Sequence, residues 1–279
     1  MVEPIQPQDG VTEIETDLLV ECLYRRFGVD FRGFERGALG RRLAALCQNE
    51  GVDSISALQG RILREPDLAR RAMAFASESP SDFLTSSIPF TAMRCAALPV
   101  LRSASWPGIW IAECGDPALV IQLAAMLEEE GLLDKSQLFV TNANEDVLMQ
   151  VSQLWLDESD LAAADDRHRK AGGTQALASY CEAHEGGMRL KPEHGRNIVW
   201  AQHDLASDAS FMEFHLIACQ RPLRDLGPAL QLRALGVFSE SLCNFGILQI
   251  EPPASIAPSE LVRNFVCLLP EQGIYRRSP

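Results

Sequence analysis

"WIAECGDPALVIQL", residues 110–123, joins the end of a short apolar run to a Gly-Asp-Pro turn and then to an apolar stretch at helical spacing through Leu119, Leu123 and Leu127. Strand, turn and helix in that order form the unit from which parallel α/β sheets are built, and such a turn commonly cradles a nucleotide or S-adenosyl cofactor. These turns are normally rich in glycine, because the backbone must come close to its ligand. Here there is one, Gly115, with the acidic residues Glu113 and Asp116 nearby. The stretch decides for an α/β fold and leaves open whether the turn still serves a ligand.

The same alternation continues downstream. The pattern predicts strands over 109–113, 137–141, 198–202, 214–219 and 246–250, with helices over 118–130, 144–156 and 223–236. That order implies a mostly parallel sheet wrapped by helices. Residues 157–197 interrupt it with polar, glycine-containing sequence; a structureless insertion of that length is unusual, so a small subdomain is expected there. The tail, 258–279, has room for a final helix and strand. Upstream, residues 13 to about 76 read as helices, with Gly28 and Gly51 as stops and serines before "ISALQGRILREP" as caps. The expected organisation is a helical domain over 13–85, a linker over 86–107 and an α/β domain over 108–279.

The chain has 279 residues, 47% of them apolar, enough for a sizeable core. Its net charge of −13 argues against nucleic acid as the main partner. The stretch from Arg25 to Arg71 runs against that balance, with ten arginines and six acids. It is either a docking face for an acidic partner or a solvated helix surface. Eight cysteines are scattered without CxxC spacing, as buried free thiols of a reducing cytoplasm would be. Cys181 and His184 form a lone CxxH without a second half, so no metal is expected. The first residues are acidic and proline-rich rather than signal-like, and no apolar run reaches membrane-spanning length; the expectation is a cytoplasmic protein without membrane insertion. Trp106, Trp110, His203 and His215 read as structural residues, and no catalytic constellation is assigned.

The helical half carries a family resemblance. "LYRRFGVDFRGFERGALGRRLAAL", residues 23–46, resembles the first helices of CheR-type chemotaxis methyltransferases, and the likeness runs to about residue 250. These enzymes transfer a methyl group from S-adenosylmethionine to glutamates of chemoreceptors. The resemblance implies a small helical domain followed by a class I methyltransferase (Rossmann-like) domain with an inserted subdomain. It implies S-adenosylmethionine or S-adenosylhomocysteine as the cofactor. It also implies a chemoreceptor, or another signalling protein with an acidic helical surface, as the partner, met by Arg36, Arg41 and Arg42.

The cofactor motifs map onto altered residues. The family's N-V-T-E-F-F-R resembles "SPSDFLT", where Ser81 keeps the hydroxyl and Thr85 replaces the arginine near the reacting methyl group. The family's A-G-C-S-T-G falls on residues 112–117, so Glu113 and Pro117 replace both glycines and Gly115 is displaced. A-T-D-I-N falls on "VTNAN", placing Asn142 where an aspartate accepts from the ribose. H-N-L becomes His203, Asp204 and Leu205. The later C-R-N becomes Cys219, Gln220 and Arg221, and L-x-P-G-G-x-L becomes "LCNFGIL", residues 242–248. By resemblance the cofactor-binding candidates are Ser81, Glu113, Gly115, Asn142, Asp204, Leu205 and Gln220. The apolar framework persists while the polar contacts depart together. Three readings follow: a CheR-like binding module that has lost methyl transfer, an active glutamate O-methyltransferase with a rearranged pocket, or a pocket that holds a different small ligand.

Overall fold

The computed structural model describes residues 9–77, 86–252 and 263–279. The chain divides into two compact units, one made of Met1–Glu78 with Asp225–Leu230, the other of Ser79–Arg224 with Gln231–Pro279.

The first unit is helical. It contains α1 (Asp9–Phe27), α2 (Arg36–Glu50), α3 (Ile55–Ile62) and α4 (Pro66–Ser77). Each boundary has a local cause. The Glu35 carboxylate accepts from the amides of Gly37 and Ala38 and so caps α2; Gly51, in the left-handed region at φ 65°, ends it. Ser54 caps α3 through the Ala57 amide. Leu19, Leu23, Leu39, Leu43, Leu58 and Ile62 bury their side chains in one cluster. The segment 225–230 belongs to this unit through main-chain bonds: Gly227 donates to the Gly33 carbonyl at 2.7 Å, and Glu35 to that of Asp225 at 2.9 Å. A Cβ on Gly227 would stand 2.8 Å from the Gly33 oxygen, so this crossing requires glycine.

The second unit begins with α5 (Ser87–Ser103), so a helix occupies the stretch expected as a linker. Its two prolines hid it: Pro89 lies in the first turn, where no N–H is needed, and Pro99 is tolerated in the interior. The large sheet follows, with β1 (Gly108–Ala112), β2 (Gln137–Asn142), β6 (Ile198–Gln202), β7 (Phe214–Cys219), β8 (Leu242–Gln249), β9 (Phe265–Leu269) and β10 (Ile274–Arg277). The order across it is β6-β2-β1-β7-β8-β10-β9. The first five strands are parallel, while β10 runs antiparallel to both neighbours. This is the mixed α/β class I methyltransferase (Rossmann-like) architecture. Helices α6 (Pro117–Glu129), α7 (Glu145–Ser152) and α10 (Pro228–Ser241) connect the strands. Three expected bounds shift: the helix over 144–156 is the shorter α7, that over 223–236 starts at Pro228, and the strand over 246–250 starts at Leu242. Among the described residues of the tail, 263–279, two strands stand where a helix and a strand are expected.

The insertion is a small subdomain. It contains α8 (Glu158–Lys170), α9 (Pro192–Gly195) and a three-stranded sheet in the order β3-β5-β4, from β3 (Trp155–Leu156), β4 (Cys181–His184) and β5 (Gly187–Leu190). Its helix explains why α6 is buried on every side from Ala118 to Leu127: Gln122 of α6 donates to the Ala164 carbonyl of α8 at 3.0 Å. A helix apolar all round needs cover on both faces, and the subdomain supplies the outer one. The opposite face of the sheet holds an aromatic cluster, in which Trp110 meets Phe214 and Phe238 with ring centroids 5.4 and 5.7 Å apart. The cysteine expectation needs a correction. Cys47, Cys114, Cys181 and Cys219 are buried, but Cys95 and Cys267 are exposed, because Cys267 lies on the edge strand β9 rather than inside the sheet.

Candidate functional site

The chain builds outward from β1 through β2 to β6 on one side, then crosses back to lay β7 on the other side of β1, so the strand order reverses between β1 and β7. In open α/β sheets, ligands bind outside the carboxyl ends of the strands at such a switch point. Here the residues leaving β1 are Glu113 to Asp116, and those leaving β7 are Gln220 and Arg221. Adjacent lie Asn142, at the end of β2, and His203 to Leu205, just past β6. The His203 amide donates to the Asn142 carbonyl at 3.3 Å.

Glu113 stands with φ at 52°, in the left-handed region that favours glycine. Its carboxylate pairs with Arg221 at 2.7 Å, and the two side chains are only 4% and 5% exposed. The pair bridges the two strand ends that form the switch point. Beside it, the Gln220 side-chain oxygen accepts from the amides of Gly115 at 2.7 Å and Asp116 at 3.1 Å. Those amides are the donors a glycine-rich turn would offer to a ligand. Asn142 uses both ends of its side chain internally, donating to the Cys114 carbonyl at 2.9 Å and accepting from the Asn144 amide at 2.8 Å. An aspartate could not make the first of these bonds. Glu113, Gly115, Asn142 and Gln220 are thus brought together, each tied to protein rather than left open.

The rest of the turn starts α6. The Asp116 carboxylate accepts from the Ala118 amide at 2.8 Å, and Pro117 takes the first helical position, where its missing N–H costs nothing. Burial pushes the Asp116 carboxyl up from its ordinary value, against the cap bond. Burial also raises the Cys114 thiol, and takes that of Cys219 to about 12, which leaves neither as a nucleophile near neutral pH. Asp204 closes a local turn, accepting from the Ala206 amide at 2.8 Å, and Leu205 is buried. His203 contacts the Ala209 carbonyl at 3.1 Å and stacks edge-on to Trp110, a structural role. Ser81 and Thr85 lie outside the described residues. Among the described residues no group of three or more His, Cys, Asp or Glu gathers where a metal would sit, and Cys181 and His184 fall on opposite faces of β4. No helix among them is long and apolar enough to cross a membrane.

The arginines behave differently from one another. Arg36 bonds to Asp17 at 2.5 Å and to the carbonyls of Phe31, Phe34 and Arg32. Arg42 pairs with Asp225 and donates to the Ala76 carbonyl at 3.1 Å. Arg41 is exposed. Sequence reasoning missed Arg221 as a site residue. The available signal was that two departures from one family's motifs carry opposite charges.

No family model matches the chain. A protein of Pseudomonas putida (strain KT2440), "Putative methyltransferase Cher3", is 32% identical over 269 residues, which is 96% of this chain and 98% of that protein. Among solved structures, the rRNA methyltransferase aviRa from Streptomyces viridochromogenes matches with a TM-score of 0.36 and 10% identity, covering 77% of this chain and 93% of its own. An O-methyltransferase family 2 protein from Planctomyces limnophilus, solved with apigenin, matches with a TM-score of 0.37 and 12% identity over 97% of this chain and 88% of its own.

Proposed function

The chain belongs to the CheR-like methyltransferase family, and from that premise we propose that it is a CheR-like signalling protein whose S-adenosylmethionine site is filled by its own side chains, so that it works as a protein-binding module rather than a methyl donor's enzyme. The observation that carries this reading is the buried Glu113–Arg221 pair at the switch point. For a cofactor to reach the turn, the pair must open and the turn amides must leave Gln220. Breaking a buried pair costs about 3–5 kcal/mol, which is roughly a hundredfold or more in affinity. The partner is a chemoreceptor or related signalling protein with an acidic helical surface, met by the arginine-bearing face of α2, where Arg41 is the exposed member.

The test is calorimetric titration of S-adenosylhomocysteine into the wild-type chain and into a Glu113→Gly/Arg221→Asn double variant. The expected result is no micromolar binding by the wild type and measurable binding by the double variant. Micromolar binding by the wild type, or cofactor that co-purifies, overturns the reading. That outcome favours the second one, an active protein-glutamate O-methyltransferase with a rearranged pocket; the name of the Pseudomonas putida relative goes as far as methyltransferase.

A further inference from the structure

A second cleft lies at the amino ends of β7 and β8, at the opposite end of the strands from the switch point. It is open, of about 560 Å³, and Pro99, Val100 and Ala104 at the end of α5 give it an apolar wall. Glu213, His215 and Phe245 line the rest. An interruption of strand pairing makes room for it. The Phe214–Leu242 pair is followed by Leu216–Ile247, so residues 243–246 of β8 stand opposite His215 alone. Phe245 holds this excursion at φ 66° with half its surface exposed, a strained conformation of the kind that proteins keep at working sites.

The polar groups of the cleft are left open. His215 Nδ1 accepts from the Gly108 amide at 3.1 Å, so the neutral ring carries its proton on Nε2, which makes no hydrogen bond among the described residues. Burial lowers the imidazole from its ordinary value, against the pull of Glu213, and leaves it uncharged at neutral pH. Glu213 is then the charge that lines the cleft, and among the described residues its carboxylate has neither an ion pair nor a hydrogen bond. The arginines nearby are engaged elsewhere. Arg277 donates to the Leu242 carbonyl, and the Arg276 guanidinium rests 5.8 Å from the centroid of the Phe245 ring.

We propose that this cleft binds a small primary amine with an apolar body and an oxygen beside the nitrogen. The ammonium meets the Glu213 carboxylate, the oxygen accepts from His215 Nε2, and the body lies against Phe245 and the wall of Pro99 and Val100. A few convergent polar groups on an apolar wall are what small-ligand sites share. The net charge of −13 draws a cation rather than an anion to it. All of these residues belong to the second unit and none to the switch point, so the site is independent of whether S-adenosylmethionine binds.

The test is an amide-resolved NMR titration of the full chain at neutral pH with phenylalaninol, which is protonated there and carries a hydroxyl and a ring. A ligand of that size on an open cleft should bind with a Kd of about 1 mM. The amides of Gly108 and of residues 243–246 should shift saturably, and those of Gly115 and Asp116 should not. 3-Phenylpropan-1-ol, which lacks the amine, should bind roughly tenfold more weakly, and Glu213→Gln should weaken phenylalaninol to the same degree with an unchanged melting curve. Phe245→Gly should weaken binding several-fold while raising Tm, which separates loss of the aromatic wall from loss of the fold. The proposal is overturned by the absence of saturable shifts at these amides up to about 10 mM ligand, by shifts at Gly115 and Asp116 instead, by equal binding of 3-phenylpropan-1-ol, or by a Glu213→Gln variant that binds as the wild type does.

Discussion

Glu113 and Phe245 stand at positions where the family resemblance has glycine, and both hold positive φ, 52° and 66°. The backbone keeps the shape of the glycine turn while the side chain has changed. Holding a non-glycine residue there costs about 1–3 kcal/mol. The two sites differ in what offsets that cost. Phe245 is half exposed, in the four-residue excursion of β8 between the Phe214–Leu242 and Leu216–Ile247 pairs. Phe245→Gly should therefore stabilise the chain by about 1 kcal/mol after the entropy of a new glycine is subtracted, a rise of ~2–4 °C in Tm. Glu113→Gly relieves the same strain but removes the buried ion pair between Glu113 and Arg221. It should destabilise by about 2–4 kcal/mol in urea melts, and Arg221→Asn added to it should recover most of the loss. Opposite signs from two identical backbone relaxations are the signature sought; equal signs would mean that the pair contributes nothing. The substitutions themselves were legible in the sequence. Their pairing was not, since the partners are 108 residues apart and only the sheet order brings them together.

Elements were legible where one pattern dominated. The apolar runs of β1, β2 and β7 and the caps of α2 and α3 fell close to their expected bounds. The failures share a cause: local chemistry that tertiary packing overrides. In α5, Pro99 removes the N–H that would reach the Cys95 carbonyl, yet Phe90, Met93, Ala97 and Leu101 bury the helix in the core. In α8, a run of charges conceals a narrow seam in which only Ala164 and His168 are buried. What fastens this polar helix is Glu129 at the end of α6. Its carboxylate meets His168 Nε2 at 3.1 Å and accepts from the amides of Thr174 at 2.8 Å and Gln175 at 3.0 Å. Burial alone would raise the Glu129 carboxyl, but those amides and His168 hold it below its ordinary value. A carboxyl lowered on folding contributes stability above its unfolded value, near 4.5, and that contribution is lost as pH falls through the lower folded value. Hydrogen exchange should accordingly show α8 and residues 174–180 opening at acid pH before the large sheet. Glu129→Gln should cost about 2 kcal/mol near neutrality and flatten that pH dependence. An acid transition that reaches the sheet and α8 together, unchanged by Glu129→Gln, would contradict this account.

Over the whole chain, the net charge of −13 surrounds a stretch from Arg25 to Arg71 that is net positive. The sequence left that stretch as a docking face or a solvated surface, and the side-chain partners divide it residue by residue. Arg25, Arg32, Arg61, Arg70 and Arg71 pair with acids of the same helical unit. These exposed pairs contribute little stability and dull the field of the arginines. Arg42 is different, because it and Asp225 are only 15% and 9% exposed. Arg42→Glu should therefore unfold or strongly destabilise the helical unit, by about 3–5 kcal/mol, and Asp225→Arg added to it should restore much of the loss. Arg36→Ala should cost about 1–3 kcal/mol through its lost bonds to Asp17 and three carbonyls. Arg41→Glu should leave Tm within about half a kcal/mol of wild type, as expected for an exposed helix residue. If α2 meets an acidic helical surface, the same Arg41→Glu change should weaken association with a chemoreceptor's cytoplasmic helical segment several-fold and reduce its dependence on salt. Stability and binding are thereby assigned to neighbouring arginines of one helix, and the Arg41 variant reads binding without disturbing the fold. Association that is indifferent to Arg41→Glu at low salt would mean that the basic stretch serves the helical unit's own packing, and that a partner must be sought on another face.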